Sequence, residues 1–146
     1  MDTTLVLHLL FVAGWASLAL VEGILEVMRR RDSSLEFPVG KVHYYIDIFV
    51  EVPLITGILV TGCLLLDLNR LSGLVLIKVV SGTVAILMTY FSVFVVLRRK
   101  HDIDAENNSG VVKGNRLFDT VIGPVVGVTM PIAFWLGMYL LFYTIL

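Results

Sequence analysis

Four runs that are apolar on every side, each long enough to cross a membrane, restrict the fold of this chain more than any other feature. A hydrocarbon core of about 30 Å takes roughly 20 residues of helix. Inside it every backbone polar group must be satisfied within the segment itself. The runs cover about 5–28, 42–66, 71–97 and 117–145. The expected architecture is all-α: an integral membrane four-helix bundle, with residues 1–146 as a single four-span domain. Charged residues make up 16% of the chain, against roughly 25% in an ordinary soluble domain. No stretch remains for a separate soluble domain, so any chemistry belongs to the bundle and its short loops.

The first run is read as a retained span. Met1-Asp2-Thr3-Thr4 lacks a basic segment, the run continues to Met28, and Arg29-Arg30-Arg31 follows it. A cleaved signal peptide has the opposite order and a shorter apolar core.

The loops orient the bundle. Arg29, Arg30, Arg31 and Lys41 fall between the first two runs, and Arg98, Arg99, Lys100, Lys113 and Arg116 between the last two. The second loop carries Arg70, and Lys78 lies within the third run. Cytoplasmic loops collect Lys and Arg, so loops one and three are expected in the cytoplasm and both termini outside it. The compact design and this bias suggest a prokaryotic cytoplasmic membrane. Residues 101–110 read as a flexible polar connection, and the residues after Pro38 as an interfacial segment leading into span two.

Composition removes several classes of function. Cys63 is alone, which excludes an internal disulfide and a thiolate cluster, and it reads as a packing residue. The basic residues are short clusters beside spans, with no nucleic-acid signature. Helix packing in lipid uses small residues; the Gly123-x3-Gly127 pair fits packing within the bundle or dimerisation equally. The expected partners are the bilayer and either a second copy or another membrane subunit.

Ionisable residues inside spans are costly and suggest function. Glu22 and Glu26 are four apart and share a face of span one. His43, Asp47 and Glu51 form an i, i+4, i+8 stripe on span two, and Asp119 begins span four. All five carboxylates fall in the half of the membrane nearest the arginines. Crowded carboxylates must be protonated, paired or metal-bound. With one imidazole they form a ligand set suited to Fe, Mn or Zn, of the kind helical bundles build from inward-pointing side chains. Glu22, Glu26, His43, Asp47, Glu51 and Asp119 are therefore the candidate metal ligands, with Tyr90 a nearby hydrogen-bond donor. At the other end His8 and Lys78 form a smaller polar set, and His8 or His43 is a candidate axial haem ligand. A divalent metal, or haem, is the expected cofactor, in a metal protein or membrane metalloenzyme. The alternatives are a proton- or cation-translocating subunit using the same carboxylates, and a non-catalytic accessory subunit whose carboxylates are structural ion pairs.

Overall fold

The computed structural model describes residues 2–67 and 73–145, with side chains through Phe142. The described residues form helices and short connections, without strands. Four helical spans, Thr3–Arg31, Ser33–Leu64, Gly73–Asp104 and Asn108–Phe142, are long and apolar enough to cross a membrane. Arg70 of the second loop lies outside the described residues.

Span one is a single helix, α1 (Thr3–Arg31). Asp2 caps it by accepting the Thr4 N–H at 3.0 Å, and three arginines in its last turn complement the helix dipole. Only Asp32 separates it from span two. The Asp32 carboxylate accepts from Ser34, and those bonds hold it below the usual carboxylate range.

Span two begins earlier than the hydropathy indicates. A 3₁₀ turn at Ser33–Leu35 runs into α2 (Glu36–Ile46), so the segment after Pro38 is helix, not an interfacial approach. Pro38 falls within the first turn, where its missing N–H is not needed. A π-helical turn, Asp47–Glu51, joins α2 to α3 (Val52–Leu64). Span three is one helix, α4 (Gly73–Asp104), seven residues longer at its basic end than expected. The expected flexible connection after it shrinks to Ala105–Asn107, where Glu106 turns the chain with φ +53°. Asn107 accepts from the Gly110 N–H and opens α5 (Asn108–Leu117). A second π turn, Phe118–Ile122, leads into α6 (Gly123–Ile145).

The two π turns have the same cause. Each ends two residues before a proline, Pro53 or Pro124. A proline has no N–H for the carbonyl four residues back, and the helix takes up the loss by slipping one residue. The Val52 N–H reaches the Asp47 carbonyl and the Gly123 N–H that of Phe118, five residues back in both cases. Such turns recur at functional sites.

The spans pack in chain order, one on two, two on three and three on four, so that α4 lies against α2, α3, α5 and α6. A core of Trp15, Ile55, Ile58, Ala85 and Ile86 joins the first three spans near mid-bundle. Gly57 lets Phe11 approach and Gly14 meets Leu54, which brings α1 and α3 close. Large apolar side chains such as Leu20, Phe49, Leu64 and Phe94 point outward, as a lipid-facing surface requires. Cys63 also faces outward rather than packing inside.

Candidate metal centre

The basic ends of the four spans enclose a polar centre assembled from α1, α2, the first π turn and α4. His43 and Asp47 are each 1% exposed and Glu51 is 6% exposed, so the i, i+4, i+8 stripe faces inward along its whole length. In a straight α-helix each step of four overshoots a full turn by about 40°, so Glu51 would diverge from His43 by about 80°. The wider π turn between Asp47 and Glu51 takes much of that back. Pro53 thus keeps the stripe straight.

Glu22 of α1 completes the group. One ligand atom each from Glu22, His43 and Asp47 lies within 4.8 Å of the others. Glu22 Oε1, both ring nitrogens of His43 and both oxygens of Asp47 are buried without a hydrogen-bond partner. Buried polar atoms are nearly always satisfied. One such atom from each of the three side chains comes together here, an arrangement with the donor set of a metal site.

The other expected ligands have protein partners. Glu51 Oε1 accepts from Trp15 Nε1 at 2.9 Å. Glu26 is held by Arg29, whose Nε donates at 2.8 Å, and its other oxygen lies 3.9 Å from His43 Nε2. Asp119 accepts from Arg29 at 2.9 Å and from Arg30 at 2.7 Å. Asp119 therefore belongs to an arginine cluster beside the centre, and Glu26 bridges the two, its Oε2 buried without a hydrogen-bond partner next to His43. Tyr90 is turned away: its hydroxyl pairs with Thr56 Oγ1 at 2.8 Å. At the far end of the bundle His8 Nδ1 meets Thr61 Oγ1 at 2.9 Å, and Lys78 lies along Gly137.

Sequence reasoning missed Arg99. Inside a run of three basic residues it reads as a topology marker, yet it is 1% exposed and none of its guanidinium nitrogens has a hydrogen-bond partner. Gly40 and Gly114 make room for it from α2 and α5. It lies within electrostatic reach of Glu26, Asp47 and Glu36. Glu36 and Asn115 were also missed; Asn115 Nδ2 donates to Glu36 at 2.6 Å, and Glu36 lies 3.9 Å from Arg29. The only available signal was the i, i+4 spacing of Gly110 and Gly114 in a polar, amphipathic stretch.

Three guanidiniums, of Arg29, Arg30 and Arg99, thus face six carboxylates, of Glu22, Glu26, Glu36, Asp47, Glu51 and Asp119. Glu22, Asp47 and Glu51 form no direct ion pair with these arginines among the described residues, although Arg99 lies within electrostatic reach of Asp47.

A cleft of about 640 Å³ leads to this group from the side. Spans one and four do not pack along their lengths. Asp119 ties them together at the arginine end. Beyond that tie, Ala19 and Gly23 of α1 face Val126 and Gly127 of α6, while Glu22, His43 and Glu51 line the floor. Gly23 and Gly127 have open space where a side chain would begin, so the Gly123-x3-Gly127 pair is not used to pack this bundle.

No known family model, curated protein or solved structure matches the chain. Function has to be argued from the centre itself.

Proposed function

We propose that this chain is an integral membrane metal protein, with a divalent transition metal bound by Glu22, His43 and Asp47 in the cytoplasmic half of the bundle. The arginine-rich end is the cytoplasmic one by the positive-inside rule. The observation that carries the reading is the convergence within 4.8 Å of ligand atoms from the buried His43 and Asp47 and the half-buried Glu22. Two carboxylates and one imidazole suit Fe, Mn or Zn. A dication also balances carboxylates that the arginines leave over.

Three protein ligands leave coordination positions open, which is the pattern of a catalytic or exchangeable site rather than a closed structural one. Trp15 then fixes Glu51 beside the centre, in the role that groups around a metal site commonly play. Conduction of protons or cations through a single chain is less well supported. The polar column ends at Trp15 and Glu51 under the apolar core of Ile55, Ile58, Ala85 and Ile86. Thr61, the next polar group bonded across to α1, lies ten residues farther along the helix, or about 15 Å.

Titration of metal-stripped, detergent-solubilised protein with Zn(II), Mn(II) and Fe(II) tests the reading. Saturable binding of one ion, abolished in Asp47→Asn, is the expected result. Binding that is absent, or unchanged in that variant, removes it.

A further inference from the structure

The cleft between spans one and four points to the class of molecule that reaches the centre. We propose that it binds an uncharged phenolic lipophile, a hydroquinone or phenol with an apolar tail, entering sideways from the bilayer. The proposal rests on the Glu22–His43–Asp47 group being the functional centre.

The first argument is shape. The walls come from spans that do not pack on each other. The tie from Asp119 to Arg29 and Arg30 closes the cleft at the arginine end and leaves its length open to lipid. On α1 its lining runs from Arg30 to Ala16, about 21 Å along the helix. Its 640 Å³ falls among ordinary small-molecule sites. Gly23 and Gly127 line it with nothing within 4 Å of where a side chain would start, which leaves a slot wide enough for a flat ring. Phe118, edge-on to His43 with ring centroids 6.0 Å apart, supplies an aromatic wall next to the centre.

The second argument is hydrogen-bonding chemistry. Glu22 Oε1 offers an acceptor without a partner, and His43, 99% buried with both nitrogens unpartnered, lines the cleft with one ring N–H and one bare nitrogen. The two hydroxyls on the floor have spent their protons, Thr89 on the Ala85 carbonyl at 3.0 Å and Ser92 on the Thr89 carbonyl at 2.7 Å. Arg29 and Arg30 are spent on Asp119. A bound hydroxyl can donate to Glu22 Oε1 and accept from the unpartnered His43 ring N–H. A phosphate or carboxylate head beside His43 would meet Glu22 and Glu51, and Arg30 lies farther along the cleft, held by Asp119. An ammonium head has no lone pair with which to accept from the His43 ring N–H. A phenolic hydroxyl donates strongly, carries no charge, and comes on a flat ring.

The test uses the full chain in nanodiscs and a hydroquinone whose alkyl tail carries a photoreactive diazirine. Three probes with the same tail serve for comparison: the hydroquinone dimethyl ether, a phosphatidylglycerol and a primary amine. Saturable labelling of the α1 and α6 peptides that line the cleft is expected. It should be competed by unlabelled hydroquinone and exceed labelling by each comparison probe about tenfold, as loss of the donated bonds implies. Gly23→Leu and Gly127→Leu each start their side chain in open space, extend into the cleft, and should lower labelling by about tenfold. Equal labelling by the ether, the phospholipid or the amine would overturn the proposal, as would undiminished labelling in both leucine variants or cross-links joining two copies through the cleft. Metal content measured on the same samples separates the two readings. Selective labelling of metal-free protein contradicts the metal and keeps the cleft, whereas bound metal without selective labelling contradicts the cleft alone.

Discussion

Trp15 Nε1 donates to Glu51 Oε1 at 2.9 Å, linking span one to span two inside the bundle. Both side chains are buried, and the bond sits where the apolar core gives way to the polar centre. Trp15→Phe should keep the packing and remove the donor. The orphaned carboxylate then costs about 1–3 kcal/mol, visible as a lower midpoint in thermal unfolding in detergent. An unchanged midpoint would show that the bond contributes little.

Arg29 and Arg30 both hold Asp119 but differ in burial. The Arg29 side chain is 7% exposed and also pairs with Glu26, while that of Arg30 is 54% exposed. Arg29→Met should destabilise by about 3–5 kcal/mol, because it strands buried carboxylates. Arg30→Met should cost less than about 1 kcal/mol. Comparable losses in the two variants would count against this asymmetry.

Pro53 produces the π turn that returns Glu51 to the face of His43. Pro53→Ala lets the helix close into an ordinary α register. The expected outcome is equal or higher thermal stability with weaker metal binding, by about 10–100-fold if Glu51 is a supporting group. Metal affinity matching the native chain would separate the π turn from the centre.

Metal binding should weaken as pH falls. Glu22, His43 and Asp47 ligate only in their deprotonated forms, so protons compete with the ion. Affinity measured across the acidic to neutral range should rise with pH and flatten once the ligands are free of protons. A flat profile would contradict coordination by these three groups.

Much of the fold was legible because lipid imposes it. Long apolar runs place the spans, and the spacing of Glu22, His43, Asp47 and Glu51 marks the inward faces. The ends of the spans were not legible. Hydropathy falls at Arg98 and stays low until Arg116, yet both helices continue through that stretch, since Arg, Lys and Glu are good helix formers and long basic side chains reach past apolar surface. Arg99 was misread for the same reason: its burial depends on Gly40 and Gly114 from two other helices, which no local pattern encodes. The sequence marks Pro53 and Pro124 as places where the helix must adjust, but not that the adjustment realigns a stripe eight residues long.

The central claim is that Glu22, His43 and Asp47 hold a metal. The most direct measurement is elemental analysis by mass spectrometry of purified protein, for the native chain and for His43→Ala and Asp47→Asn variants shown to be folded, with an absorption spectrum of each sample. The account predicts one Fe, Mn or Zn per chain in the native protein, lost in both variants, with no Soret band. A folded native chain that holds no metal after exposure to all three ions, or that retains it in both variants, would contradict the account.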